Sequence, residues 1–301
     1  MTILILGSEG FIGSHCISYF LKKGDSVYGI DLYEQPTQKY FYKKVSRLSP
    51  DLDEFFGETK IDGVINAAGS GNVPYSMSHP VLDFEANSLD TIRVLDALRK
   101  HQPHCRYVHL SSAAVYGNPI TLPVKENDPT LPLSPYGWHK LIAEQICREY
   151  TSVFGLPTAI ARPFSVYGPG LKKQLFWDVY QKQKESSEVV TLFGTGNESR
   201  DYIFISDLVG ALDCILQNGE MVGEVYNLAS GEETTIREVT SIFFEMLKSP
   251  KPFKFNGQVR AGDPINWRAD ISKLNKLGYR PEVSLRDGLR KLSGWLINSD
   301  V

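Results

Sequence analysis

A tyrosine and a lysine stand four residues apart where a helix is predicted to begin. They are Tyr136 and Lys140 in the segment SPYGWHK, residues 134–140, whose Ser-Pro pair is typical of a helix start. Residues four apart share a helix face, so both side chains can point at the same spot. A nearby ammonium favours phenolate and lowers a tyrosine pKa from its usual value of about 10. Such a pair can take up and return a proton, or it can be an aromatic and a cation on a helix surface.

Ser112 could join this pair, because it ends the strand-like segment RYVHLSS, residues 106–112. Open parallel sheets bind their ligands at the carboxyl ends of their strands. A serine hydroxyl both donates and accepts hydrogen bonds, so it can share a proton path with Tyr136. The alternative is a strand-end serine that caps the next segment.

Three glycines follow the first predicted strand in the pattern GxxGxxG. Gly7, Gly10 and Gly13 come directly after TILIL, residues 2–6, and extend into the start of a predicted helix. Glycines at such a turn let backbone N–H groups approach a pyrophosphate, whose charge a helix N-terminus favours. Asp31 ends the second predicted strand, where a carboxylate can bond the adenosine ribose hydroxyls and repel a 2′-phosphate. Either feature alone is weak evidence, but together they predict a dinucleotide site that takes NAD(H) rather than NADP(H). The positive charge of an oxidised nicotinamide would aid Lys140 in favouring the phenolate of Tyr136.

The elements that must position these residues alternate between strands and helices. Strands are predicted over residues 2–6, 26–31, 63–69, 106–112 and 157–164, and helices over residues 11–23, 88–101 and 136–155. This order predicts an α/β fold, a Rossmann-type doubly wound parallel sheet with helices on both faces. After about residue 166 the alternation loosens. We therefore predict a first domain over residues 1–165 and a smaller, mixed α/β domain over 166–301, some of whose segments return to the first.

The composition is that of a folded and soluble protein. Of 301 residues, 42% are hydrophobic, and the net charge of −3 gives no electrostatic reason to expect a nucleic acid or a membrane as partner. The four cysteines are widely spaced without a metal-binding pattern, which predicts free thiols, a cytoplasmic location and no metal site. MTILILGSEG is typical of a first strand rather than a signal peptide, and no apolar run is long enough to span a bilayer.

GxxGxxG followed by YxxxK resembles the short-chain dehydrogenase/reductase superfamily, in particular its extended branch, the nucleotide-sugar epimerases and dehydratases. Further motifs occur in the order expected for that branch: NAAG (66–69), SSAAVYG (111–117), SPYGWHK (134–140), RPFSVYGPG (162–170), FGTGNESRDYIFISD (193–207), YNLASG (226–231) and RAGDP (260–264). Each motif is modest alone, but the resemblance covers nearly the whole chain.

The resemblance implies roles for individual residues. Ser112, counted back from VYG, matches the catalytic serine or threonine of the family, and Tyr136 and Lys140 match its other catalytic residues. The cofactor NAD would contact Gly7, Gly10, Phe11, Ile12, Gly13, Asp31, Ala67, Ala68, Gly69, Tyr136, Lys140 and Phe164. A nucleotide-diphosphate sugar, with UDP-hexose favoured, would contact Ser112, Ser165, Arg200, Arg260 and Asp263, the two arginines clamping the diphosphate. His139 points away from Lys140 on the helix and is interpreted as structural.

Two departures from the family pattern affect the predicted chemistry. Nucleotide-sugar 4,6-dehydratases carry an Asp-Glu pair after the catalytic residue, where this chain has Ala113 and Ala114. A methyl group can act neither as an acid nor as a base, so dehydration is set aside. Ser165 replaces the usual asparagine that contacts the diphosphate end of the substrate, and a serine is shorter and donates less.

The remaining chemistry is redox at a single carbon. We predict an NAD-dependent nucleotide-sugar 4-epimerase that oxidises C4 transiently and returns the hydride to the other face of the sugar. A keto-sugar reductase that consumes NAD(P)H is the alternative, since it would use the same three residues, and a non-catalytic dinucleotide-binding protein is the third. In similar proteins the helices that match residues 88–101 and 136–154 form a four-helix interface, so we also expect a homodimer.

Overall fold

A computed structural model of the chain describes residues 1–46, 51–258 and 264–299, and of residue 51 only the backbone. Its strands are β1 (Thr2–Leu6), β2 (Ser26–Asp31), β3 (Phe41–Lys44), β4 (Gly63–Asn66), β5 (Arg106–Leu110), β6 (Thr158–Pro163), β7 (Ser165–Tyr167), β8 (Val190–Leu192), β9 (Ser199–Phe204), β10 (Val222–Leu228), β11 (Glu233–Thr235) and β12 (Phe253–Phe255). Its α-helices are α1 (Phe11–Lys23), α2 (Asp51–Glu58), α3 (Val73–Ser78), α4 (Pro80–Phe84), α5 (Asp90–His101), α6 (Pro135–Phe154), α7 (Gln174–Glu185), α8 (Ile205–Asn218), α9 (Ile236–Met246), α10 (Ser272–Lys276) and α11 (Leu285–Ser299). A π-helix spans Glu85–Leu89, and a 3-10 helix spans Ala113–Tyr116.

Within these residues seven parallel strands form the central sheet, in the order β10-β6-β5-β4-β1-β2-β3. The strand order reverses beside β1, which pairs with β2 on one side and β4 on the other, as in a doubly wound sheet. Side chains of β1 alternate between faces: Ile3 and Ile5 pack with α1 and α8, and Leu4 and Leu6 pack with α2, α5 and α6. Helices therefore cover both faces of the sheet, and the predicted fold class is confirmed.

Several elements differ in length from the sequence pattern. β4 ends at Asn66, because the small residues after it form a turn in which Gly69 has a φ of +119°. β5 ends at Leu110, since Ser112 instead caps the 3-10 helix that follows. The helix predicted over residues 88–101 is α5, which begins only after the π-helix has ended.

The residues after β6 form a smaller lobe beside the sheet. β7, β9 and β11 make one small sheet, β8 pairs with β12, and α7, α9 and α11 pack around them. The aromatic rings of Tyr167, Phe176, Tyr202, Phe204 and Phe243 contact one another in the core of this lobe. α8 then packs on the central sheet again and β10 pairs with β6. The chain thus leaves the central sheet after β6 and returns to it with α8 and β10. The domain division after residue 165 stays a prediction.

A buried ion pair joins α6 to the sheet. Arg162 on β6 donates from Nη2 to Glu144 Oε2 at 2.6 Å and from Nε to Oε1 at 2.8 Å. The two side chains are 2% and 0% exposed. Ser111, directly after β5, donates its hydroxyl to the same carboxylate. Because removing two charges from water is costly, neither can stay buried without the other, and the pair fixes α6 against the strand ends.

Breaking this pair should destabilise the protein strongly. We expect Glu144→Gln to lower the free energy of unfolding by about 3 kcal/mol, because Arg162 stays buried without its counter-charge. Glu245→Gln breaks the exposed pair between Glu245 and Arg286 and should change stability little, because solvent screens that pair. Urea unfolding of both variants, followed by circular dichroism, measures the two effects. Similar losses in both variants would contradict the role assigned to Glu144.

Candidate active site

The glycine turn between β1 and α1 leaves no room for side chains. Gly7 has a φ of +72°, and a Cβ on Gly13 would lie 2.0 Å from the Gly7 carbonyl oxygen. Gly10 caps α1, and its N–H donates to the Gly7 carbonyl at 3.1 Å. Phe11 and Ile12 begin the helix and are partly buried beside this turn. The first N–H groups of α1 are therefore not covered by a capping side chain, which suits a pyrophosphate.

Asp31 ends β2 with its carboxylate beside the glycine turn. Its Oδ2 accepts the Glu9 N–H at 2.8 Å, and its Oδ1 accepts the Leu32 N–H at 2.6 Å. These bonds orient the group, and each oxygen keeps a lone pair that can accept a ribose hydroxyl. The turn and this carboxylate together suit the pyrophosphate and adenosine ribose of NAD.

The segment after β4, Ala67 to Gly69, closes the other side of the turn. A Cβ on Gly7 would lie 2.8 Å from the Ala68 Cα, so the two backbones are in contact. A Cβ on Gly69 would lie 2.5 Å from Asn87 Oδ1, and Asn87 is buried in the π-helix. The sequence analysis missed Asn87, because an asparagine just ahead of a predicted helix is equally typical of a cap.

α6 carries the predicted catalytic pair near its start. Ser134 accepts the Gly137 N–H at 3.3 Å and caps the helix, so the helix begins where the Ser-Pro pair predicts. Tyr136 is partly buried, and the neighbouring hydroxyl of Ser112 lowers its pKa. Ser112 also accepts the Ala114 N–H at 3.1 Å. Ser112 therefore caps the 3-10 helix and also lies beside Tyr136, so both roles considered for it from the sequence apply.

Lys140 is 5% exposed and reaches the end of β5. Its Nζ donates to the Leu110 carbonyl at 2.8 Å. Burial lowers the pKa of Lys140 to about 8, and the charge of Asp83 is the largest influence that opposes this shift. A reaction that needs the ammonium would therefore lose it as the pH rises through about 8.

Burial raises the pKa of Tyr136, which is the opposite of the direction that the sequence argument expects from Lys140. The Ser112 hydroxyl lowers this pKa and the charge of Asp83 raises it, whereas Lys140 is not among the described groups that shift it. Lys140 alone thus does not lower this pKa, and the expected contribution of an oxidised nicotinamide stays a prediction. A further positive charge in the cleft is needed before this phenol can act as a base at neutral pH.

Two of the residues predicted on the substrate side, Ser165 and Arg200, lie in the smaller lobe. Ser165 begins β7, which pairs with β9, the strand that carries Arg200. The Arg200 guanidinium donates to two backbone carbonyls, at 2.7 and 3.1 Å. The side chain of Phe164 is 6% exposed in an apolar cluster, and Arg260 and Asp263 lie outside the described residues. The ligand contacts of these five residues stay predictions.

The free thiols that the cysteine spacing predicts are present in the structure. All four cysteines are free, and burial raises the pKa of Cys16 and of Cys105 to about 12.

Over the described ranges, no group of three or more His, Cys, Asp or Glu side chains is arranged to hold a metal ion. In the same ranges, no helix combines the length and the apolar composition needed to cross a membrane.

The sequence model of the NAD dependent epimerase/dehydratase family matches residues 3–229. The chain belongs to this family. The match runs from β1 to the end of β10 and includes the glycine turn, Asp31 and the three predicted catalytic residues. The family resemblance seen in the motifs is therefore confirmed.

Individual known proteins are similar to this chain over nearly its whole length. An uncharacterized UDP-glucose epimerase of Bacillus subtilis is 33% identical over 96% of both chains. A putative UDP-glucose 4-epimerase of Methanocaldococcus jannaschii is 30% identical over 99% of both. The crystal structure of UDP-glucuronic acid 4-epimerase from Bacillus cereus, in complex with UDP-glucuronic acid and NAD, has a TM-score of 0.89 and 30% identity over 99% of this chain and 100% of that one.

A side chain on Gly13 should abolish dinucleotide binding. We expect Gly13→Ala to contain almost no bound cofactor, because the new Cβ would push against the Gly7 carbonyl and displace the turn. Gly210→Ala adds the same methyl group inside α8, where no atom outside the adjacent turns of the helix lies within 4 Å, and should keep its cofactor. Chromatography of the dinucleotide released on denaturation gives the occupancy of each variant. Equal occupancy in the two variants would count against this cofactor site.

Proposed function

We propose that the protein is an NAD-dependent nucleotide-sugar 4-epimerase. The observation that supports this most is the meeting of Ser112, Tyr136 and Lys140 at the carboxyl end of β5, which lies two strands from β1 and its glycine turn. A site built in this way can exchange a proton with a sugar hydroxyl, while a bound nicotinamide would take the hydride from the same carbon. Ala113 is fully buried, and neither it nor Ala114 can supply the acid and base of a dehydratase.

NAD is the cofactor that these residues fit. The glycine turn and Asp31 would hold its pyrophosphate and adenosine ribose, Ala67 to Gly69 would line it, and Lys140 would hold its nicotinamide ribose. When bound, NAD⁺ supplies a hydride acceptor that later becomes the donor. The similar Bacillus cereus 4-epimerase was solved with NAD, which supports this assignment.

Tyr136 is the group that we assign to proton transfer. Its phenolate would take the proton of the C4 hydroxyl as hydride leaves C4, and would return it to the ketone oxygen in the second half of the reaction. Ser112 can accept from one of these hydroxyls and donate to the other, so it would complete the path. Because burial raises the pKa of Tyr136, this side chain would ionise only with the positive charge of NAD⁺ nearby.

The substrate that we propose is a UDP-hexose. Arg200 and Arg260 would clamp the diphosphate in pairs of hydrogen bonds, Asp263 would hold the ribose of the nucleotide, and Ser165 would contact the diphosphate end. The relatives named above are UDP-glucose and UDP-glucuronic acid epimerases, which supports a UDP sugar.

Epimerisation can be followed directly by NMR on the purified protein without added cofactor. We expect UDP-glucose, UDP-galactose or another UDP-hexose to be converted at C4, and Tyr136→Phe to lower the rate by a factor of about 100 to 10,000, the usual contribution of a general acid–base group. Tyr150→Phe, near the other end of the same helix, removes a hydroxyl away from the site and should stay active.

Two results would reject the proposal. One is the absence of C4 interconversion in this screen with every nucleotide sugar tested. The other, in a separate assay with added NADH and a 4-keto-6-deoxy sugar, is stoichiometric loss of NADH absorbance, which would identify a reductase. Turnover that Tyr136→Phe leaves unchanged would show that this tyrosine does not transfer the proton.

We also propose that the enzyme is a cytoplasmic homodimer. Free thiols are typical of a reducing compartment. Large apolar side chains are exposed on α4 and α6, among them Leu82, Phe84, Trp138 and Ile142, which are between 37% and 50% exposed. An exposed apolar face of this kind is typical of a protein interface, and a second copy of this chain is the partner expected from the family.

Light scattering at micromolar concentration tests the dimer. We expect wild type to have twice the chain mass and Trp138→Glu to have the mass of a single chain, because a charge cannot be buried at the centre of an apolar interface without cost. Ile120→Glu, at a residue that is 90% exposed on the loop between the 3-10 helix and α6 and outside both helices of this apolar face, should remain dimeric. A monomeric wild type would refute this proposal.

A further inference from the structure

The indole of Trp267 lies between two parts of the protein that the proposed reaction would use. The residue is 9% exposed. Its backbone N–H donates to the carbonyl of Ser199, which directly precedes Arg200 on β9, at 3.2 Å. Its indole Nε1–H donates at 3.1 Å to the carbonyl of Gly117, which directly follows the 3-10 helix. Since a buried indole N–H needs a partner, this second bond fixes the orientation of the ring.

The same ring lies against the guanidinium of Arg200. The guanidinium carbon is 5.5 Å from the centroid of the Trp267 ring. Arg200 Nη1 also donates to two backbone carbonyls, that of Ser199 at 2.7 Å and that of Ile265 at 3.1 Å. An aromatic face attracts a guanidinium without occupying any of its N–H donors. The ring and the two carbonyls together therefore restrict the position of this arginine on β9.

Trp267 is also joined to the residues that follow Ser112. Its ring contacts Phe164 edge-on, with 5.7 Å between the ring centroids, and Phe164 in turn contacts Tyr116 at 6.2 Å. Tyr116 is the last residue of the 3-10 helix, and Ser112 caps the start of that helix. One helix of four residues therefore separates these contacts from the serine hydroxyl.

Neighbouring hydrogen bonds anchor the backbone around Trp267 without using its side chain. The Ile265 N–H donates to Asn118 Oδ1 at 2.9 Å. The Val124 N–H donates to the Arg268 carbonyl at 2.7 Å. Shortening the Trp267 side chain would thus remove the ring and its indole bond, while the backbone of the segment keeps its other anchors.

We propose that Trp267 is a positioning residue that holds Arg200 at a fixed distance from the 3-10 helix capped by Ser112. The catalytic consequence rests on the proposed function, in which Arg200 binds the diphosphate, whereas the contact between the indole and the guanidinium does not. A 4-epimerase has to present both faces of C4 to one nicotinamide, so the sugar must turn while its diphosphate stays bound. A fixed distance from the diphosphate anchor to the serine hydroxyl would bring C4 back to the same point.

Two substitutions of Trp267 separate its two contacts. Trp267→Phe keeps an aromatic face for Arg200, so its Kd for UDP should stay within about threefold of wild type. Because it leaves the Gly117 carbonyl without its donor, we expect kcat to fall about tenfold. Trp267→Leu lacks the aromatic face as well, and its Kd for UDP should rise about tenfold.

Calorimetric titration with UDP gives the Kd, and the NMR epimerisation rate at saturating substrate gives kcat. Equal effects of the two substitutions on UDP affinity would overturn the proposal. A kcat that Trp267→Phe leaves unchanged would overturn it too, and this variant decides the matter if Trp267→Leu fails to fold.

Trp295→Leu is the matched control for the loss of an indole. Trp295 also packs against an apolar core, but it belongs to α11, which carries no residue of the proposed site. Its UDP affinity and kcat should match those of wild type. A loss of UDP affinity as large as that in Trp267→Leu would overturn the proposal, because the effect would then not depend on the contact with Arg200.

Fluorescence tests the contact between the ring and the guanidinium without substrate or activity. A positive charge close to an indole ring shifts its emission, so Arg200→Leu should change the emission of wild type and leave that of Trp267→Phe as it was. An equal change in both backgrounds, or no change in either, would overturn the proposal. The expected difference in a protein that binds no UDP would support the positioning contact and reject only the proposed function.

Discussion

One buried ion pair, between Glu144 and Arg162, fixes the geometry on which the proposed chemistry depends. Glu144 lies on α6 four residues after Lys140, Arg162 lies on β6, and the hydroxyl of Ser111 binds the same carboxylate. Neither charge can be left without the other in an interior that excludes water. The helix that carries the tyrosine and the lysine therefore keeps a single position relative to the strand end that carries the serine.

Burial works against the chemistry that this geometry permits. It raises the pKa of Tyr136 and lowers that of Lys140, so it favours the neutral form of each. Neighbouring groups restore part of the charge, because Ser112 lowers the pKa of the tyrosine and Asp83 raises that of the lysine. In the proposed mechanism the rest would come from the positive charge of NAD⁺, because a charge acts strongly at short range in a medium that screens it poorly. Tyr136 would then accept a proton only when the cofactor is bound.

Features that depend on local backbone geometry could be predicted from the sequence, and contacts between distant segments could not. The glycine spacing determines the first turn, and a spacing of four places Tyr136 and Lys140 on one helix face. Asp83 accepts a hydrogen bond from His139, which lies 56 residues further along the chain. No sequence pattern links these two residues before the chain folds. The end of β4 at Asn66 was not predictable either, because alanines are compatible with both a strand and a turn. The return of β10 to the sheet follows an excursion through the smaller lobe, which leaves no local signal.

In a 4-epimerase, the hydride that leaves C4 of the sugar returns to the same carbon of the same molecule. A UDP-hexose with deuterium at C4, incubated with the purified enzyme and an excess of unlabelled NAD, tests this most directly. If the proposed mechanism holds, both epimers keep their deuterium at C4 through many turnovers, because the reduced cofactor stays bound between the two transfers. Loss of deuterium from C4 into the free cofactor, or its retention only in the unconverted sugar, would contradict a 4-epimerase.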